Sequence, residues 1–153
     1  MFDAYNVQLY LYLHKAWVMD AKLWAVLIGI IAGAIGNWFT TFSMQPILRF
    51  RDIKNQVLID FIYYAQVINA EGFNDEVQKL YRERILANRK SSAQLSAAIL
   101  NLPHWYLRCL KRKGLAPEEA ASHLIGYSNT TEYEVADKVE NLIRRNLGLP
   151  SKT

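Results

Sequence analysis

From Leu23 to Leu48 the chain carries no charged side chain, and no other stretch of its 153 residues constrains the fold as strongly. The run LWAVLIGIIAGAIGNWFTTFSM is apolar or small almost throughout. A helix of about 20 such residues, rising ~1.5 Å per residue, crosses the ~30 Å of hydrocarbon in a bilayer. Two other structures use similar segments. As the core helix of a soluble domain it would need covering on every side, and a chain this short has too little surface to do so. A cleaved signal peptide has a shorter apolar region, a basic start and a small-residue cleavage site. Here the apolar run is long, and Trp38, Phe39 and Phe42 follow it. The sequence therefore predicts a retained transmembrane helix over residues 22–45. Residues 1–21 precede it, a helical domain occupies 46–150, and 151–153 form a short tail.

Aromatic residues bracket the span, Trp17 and Trp24 on one side and Trp38, Phe39, Phe42 and Phe50 on the other. Amphipathic rings collect at the headgroup level of a bilayer, so Trp17, Trp24 and Trp38 are expected at its interfaces. Arg49, Arg51 and Lys54 follow the span with only Asp52 against them, while Lys15 and Lys22 sit near Asp3 and Asp20. By the positive-inside rule this places Arg49 and Arg51 at the cytoplasmic interface of an inner membrane, with the C-terminal domain in the cytoplasm. Residues 2–19 are amphipathic and interrupted by His14 and Lys15, which suits a short helix lying at the outer interface. A second, hairpin-forming span is the alternative for this segment.

Small residues recur every four positions within the span, at Ala21, Ala25, Gly29 and Gly33, with Asn37 next in the row and Ala32 and Gly36 as a parallel pair. That spacing draws one stripe along a helix, where missing side chains let a second backbone approach. An amide at membrane depth also favours a polar partner. Ala25, Gly29, Gly33, Gly36 and Asn37 are accordingly the expected contacts of a homo-oligomer, and of a pore if the copies enclose one.

Beyond Pro46 the pattern is helical. Ile53, Val57, Phe61, Ala65 and Ile68 keep a three-to-four spacing, and Gly72 is placed to stop that helix in a left-handed cap. Asn74 can cap the next helix, with Asp75 and Glu76 at its positive end. That helix is expected to reach Asn101, with room for a break near Asn88. Three shorter helices follow: Pro103 to Gly114, Pro117 to Gly126, and one opened by Asn129-Thr-Thr-Glu132 and stopped at Gly148-Leu149-Pro150. Glu140 and Arg144 stand one turn apart in the last of these, as an ion pair requires. No segment alternates like a strand, so the fold class is all-α, one transmembrane helix followed by a compact cytoplasmic bundle.

The net charge of +4 suits anionic lipid as well as nucleic acid. The single cysteine, Cys109, excludes an internal disulfide and is expected as a small buried hydrophobe. His14, His104 and His123 lie in different elements, and no spacing matches a zinc site or a phosphate loop, so neither catalytic residues, a metal nor a cofactor is expected. Glu119 and His123, one turn apart, suit a surface ion pair better than acid–base work. Asn129-Thr130-Thr131 matches a glycosylation sequon but also a helix cap, and a cytoplasmic location excludes glycosylation. The best candidate for ligand contact is the basic stretch Arg82, Arg84, Arg89 and Lys90, with Arg108, Lys111, Arg112 and Lys113 further on. Within it Arg82, Asn88, Arg89 and Lys90 are singled out, because arginines fork onto phosphate and Asn88, Ser91 and Ser92 can add hydrogen bonds.

The order of elements, an apolar span leading into a charged helical bundle, resembles the small helical membrane accessory proteins of bacterial anti-phage systems, such as the pore-forming partner beside some RNA-targeting CRISPR effectors. The likeness covers most of the chain and rests on architecture, without a shared motif. It implies copies assembled around an axis. Bundles of the HEPN type carry an Arg four to six residues before a His. Neither His104 nor His123 has one, so ribonuclease activity is not implied. The expectation is a non-enzymatic oligomeric inner-membrane protein whose bundle receives a signal or protein partner. The alternative is a membrane-tethered module that binds a nucleotide signal or nucleic acid.

Overall fold

The structure is a computed structural model that describes the backbone of residues 4–69 and 74–152, and side chains within those ranges from Asp20 onward. Every regular element among the described residues is helical, so the chain is all-α. It divides into two compact units, Met1–Thr41 and Phe42–Thr153.

The first unit is built on α1, Ala4–Phe39, a single helix of 36 residues. The interfacial segment expected over 1–21 and the span expected over 22–45 share this one helix, whose backbone runs through residue 21 without a break. No Gly or Pro stands between Ala4 and Gly29, and without such a breaker the i→i−4 ladder continues. In the helical residues from Asp20 onward, an 18-residue window has a mean hydropathy of 1.7 and none of it is buried. One helix is therefore long and apolar enough to cross a membrane.

Thr40–Met44 form a π-helical turn ahead of α2, Gln45–Tyr63. Pro46 explains the local widening. It has no N–H to give to the Phe42 carbonyl, and its ring presses on that carbonyl, so the turn before it opens. The Thr40 hydroxyl donates to the Gly36 carbonyl at 2.9 Å and supports the ladder where it changes register.

The second unit contains α2, then α3 (Asp75–Leu100), α4 (His104–Arg112), α5 (Pro117–Asn129) and α6 (Tyr133–Leu147). Helix α3 packs against both α2 and α5, and α5 against α6. The core runs through Val57, Phe61, Leu95, Leu124, Ile143 and Leu147, each such burial stabilising by about 1.5–3 kcal/mol. The rings of Phe61 and Tyr127 meet edge to face with centroids 5.1 Å apart.

Asn74 caps α3 by accepting from the Val77 amide at 3.1 Å, with Asp75 and Glu76 in the first turn, as the sequence predicts. Helices α4 and α6 end alike. Gly114 (φ 72°) and Gly148 (φ 61°) take the left-handed conformation, and the next amide, of Leu115 or Leu149, reaches back to the Leu110 or Arg144 carbonyl.

Five local expectations are corrected. Helix α2 stops at Tyr63, where Tyr64 caps it through Asp60, because Val67 and Ile68 are buried from a turn instead of continuing the helical stripe; Gly72 lies outside the described residues. No break occurs at Asn88, since Asn88, Ser91 and Ser92 face inward and donate to the Arg84 carbonyl, Asp60 and the Ala121 carbonyl. Gly126 does not close α5, which continues to Asn129 with the Thr130 hydroxyl bonded to the Gly126 carbonyl. Asn129 is consequently the last residue of α5 and not a cap, and α6 starts from Glu132 without a side-chain cap. Cys109 is exposed, because Leu107 and Leu110 take the inward positions of α4.

Candidate functional site

Two features set this chain apart from a plain helical bundle, one in each unit. The first is the bare face of α1. At about 100° per residue, Ala25, Gly29, Ala32, Gly33 and Gly36 share one side of the helix within about a third of a turn, and Asn37 borders it. A Cβ placed on Gly29, Gly33 or Gly36 would meet nothing within 4 Å. Leu23, Trp24, Ile28, Ile30, Ile35 and Trp38 project from the rest of the helix and are all more than half exposed. A strip of uncovered backbone between bulky apolar walls can seat a second helix closely. Trp24 and Trp38 stand at 63% and 62% exposure; the side chain of Trp17 lies outside the described residues. Arg49 and Arg51 are exposed on α2.

The second feature is a buried polar layer along α3, which the sequence reading only partly located. Of the four residues singled out for ligand contact, Arg82, Arg89 and Lys90 are exposed and Asn88 is not. Asn88 is 1% exposed and its amide donates to the Arg84 carbonyl at 2.9 Å, so it faces the core. Arg89 is engaged as well, donating to the Asn129 side chain at 2.9 Å. Arg82, Arg89 and Lys90 share the outer side of α3, and Asn88 lies on its inner side.

The residue at the centre is Arg84, fully buried. Its Nη2 donates to the Thr130 carbonyl at 2.9 Å and to the Ile68 carbonyl at 3.3 Å. The guanidinium lies against the rings of Tyr81 and Tyr127, 5.3 and 5.2 Å from their centroids. Those electron-rich faces stabilise a cation that makes no ion pair among the described residues. Arg84 Nε and Nη1 and Asn88 Oδ1 have no hydrogen-bond partner among the described residues. Burial raises the Tyr127 phenol above its ordinary range, with the Glu140 charge adding to the rise and Arg84 opposing it. Tyr127 therefore remains a neutral phenol throughout the physiological range.

Further along, Ser91 donates to Asp60 at 3.1 Å, and Ser92 to the Ala121 carbonyl at 2.6 Å. The predicted Glu140–Arg144 pair is present at 2.7 Å, and its acid is buried. Arg144 also donates to the Pro150 carbonyl at 2.9 Å. At the rim, Lys152 reaches Asp137 at 2.8 Å; this hydrogen bond is the main reason the Asp137 carboxyl is held below its ordinary range and the Lys152 amine above its own. The sequence signal for this layer is residues 84, 88, 91, 92 and 95, which keep core spacing with polar types at four of five places.

These groups hold the bundle together more evidently than they could act on a substrate. Among the described residues no three His, Cys, Asp or Glu side chains gather as metal ligands. Glu119 accepts from Asn146 at 3.4 Å and makes no ion pair with His123. Comparison with protein-family models, curated proteins and solved structures finds no match for this chain.

Proposed function

We propose that this chain is a non-enzymatic, oligomeric inner-membrane protein. In this reading α1 spans the bilayer and pairs with other copies along Ala25, Gly29, Gly33, Gly36 and Asn37. The α2–α6 bundle lies on the cytoplasmic side and receives a signal or a protein partner. One observation carries it: the apolar window that begins near Asp20 is long enough to span and has none of its residues buried. In water that exposure would be strongly unfavourable; in lipid it is the ordinary state of a spanning helix. Arg49, Arg51 and Lys54 support the orientation. The resemblance to anti-phage accessory proteins extends the proposal to a membrane-permeabilising assembly released by a trigger at the bundle. A nucleotide or nucleic-acid module draws on Arg82 and Lys90 alone, since Asn88 is buried and Arg89 is bound to Asn129.

Crosslinking of the full chain in native membranes tests the proposal. The wild type is expected to give dimers and larger species, and Gly29→Leu/Gly33→Leu to lose them without changing the thermal melt of the bundle. A strictly monomeric wild type, or a double variant that crosslinks like the wild type, overturns the self-association.

A further inference from the structure

No acidic residue occurs between Glu83 and Glu118, and the second half of that interval is α4 with its exit turn. Helix α4 has two sides. Tyr106, Leu107 and Leu110 turn toward the core, and Tyr106 meets Phe50 edge to face with centroids 6.3 Å apart. The outward arc holds His104, Trp105, Arg108, Cys109, Lys111 and Arg112, all exposed, with Lys113 at the end. The last-turn position of Lys111 and Arg112 suits the negative end of the helix dipole, but the dipole does not account for Arg108. None of Arg108, Lys111, Arg112 and Lys113 makes an ion pair among the described residues. Beside them Trp105 is 49% exposed and braced edge to face on Tyr106.

A face of four cations without an ion pair among the described residues, with an exposed indole beside them, fits a surface that is anionic outside and apolar beneath. We infer that the outward side of α4 docks on the anionic headgroups of the bilayer, with the bases over lipid phosphates and Trp105 at the interface. The inference rests on the reading of α1 as a membrane anchor. Anionic lipid is favoured over nucleic acid because an exposed indole, Trp105, shares the outward arc of α4 with the cations and has a counterpart at lipid headgroups. Each base near such a surface raises docked occupancy about fivefold, and the attraction fades within a Debye length.

Cys109 supplies the probe, being the only thiol in the chain and exposed on this arc. Full-length protein carrying bimane on Cys109 is placed in nanodiscs of phosphatidylcholine alone or mixed with phosphatidylglycerol, each with a nitroxide on a fraction of the headgroups. Quenching is expected to be strong in the anionic discs, weak in the neutral discs, and reduced by high salt. The variant R108Q/K111Q/R112Q/K113Q is expected to lose the difference while keeping the wild-type melt. Equal quenching in both lipids, or none in either, overturns the inference while the protein still co-purifies with the discs. Release of quenching by a short RNA at matched charge also overturns it, in favour of nucleic acid. Failure to co-purify with either disc removes the anchoring reading, and this inference with it.

Discussion

Arg84 illustrates how one side chain can link separate parts of a bundle. Its guanidinium binds a carbonyl in the turn after α2 and another at the end of α5, while its own backbone carbonyl receives Asn88. Truncation removes the Arg84 bonds to the Ile68 and Thr130 carbonyls and leaves a cavity between two tyrosines. Arg84→Ala is therefore expected to destabilise the bundle by about 3 kcal/mol or more. Arg84→Met refills the volume and removes a buried charge, so it should cost less, about 1–2 kcal/mol from the unpaired carbonyls. Urea unfolding followed by circular dichroism distinguishes these; an Arg84→Ala variant as stable as wild type would show that the guanidinium contributes nothing net. Arg84 was visible in the sequence as one basic residue among several. Its burial was not, because the polar residues at 84, 88, 91 and 92 conceal an inward face that only the partners on α2 and α5 make tolerable.

At the level of elements, the two glycines near helix ends behave oppositely. Gly126 lies within α5 at an ordinary helical φ, and an added Cβ meets nothing within 4 Å. Gly126→Ala is expected to stabilise by about 0.5–1 kcal/mol through helix propensity alone. Gly148 holds φ 61°, and a Cβ there would stand 3.2 Å from Leu115. Gly148→Ala is expected to destabilise by about 1–2 kcal/mol. Melts of the two variants that shift in the same direction would refute this. Much at this scale was legible in the sequence: the all-α class, the Asn74 cap, the α4 and α6 stops, and the Glu140–Arg144 pair. What failed did so where local and tertiary signals part. Gly126 has the type of a stop but not the position. Asn129 has the type of a cap, yet it serves as an acceptor for Arg89. Val67 and Ile68 continue a helical spacing but are buried by a turn. The long apolar helix needed no partner to be recognised, since its length and composition are local properties. The open glycine face was readable in part, as spacing; that a Cβ on Gly29, Gly33 or Gly36 would meet nothing within 4 Å among the described residues is a fact of three dimensions.

At the scale of the whole molecule, every residue of the buried core cluster lies between Ile47 and Leu147. A fragment of residues 42–153 should then fold alone, with cooperative unfolding and helical circular dichroism in buffer without detergent. A fragment that aggregates or melts without cooperativity would show that the division between the two units is not one of stability.

Three hydrogen bonds join α3 to α5 in reversed order along the two helices: Arg84 to Thr130, Arg89 to Asn129 and Ser92 to Ala121. Sliding α5 by one turn, ~5.4 Å, would strand the buried donors of Arg84 and Ser92 in dry protein, at about 1–3 kcal/mol for each. The pair is thus pinned like two rails with shared ties. Any displacement within the bundle has to carry α3 and α5 as one body, and leaves the joints around them as the places where movement can begin.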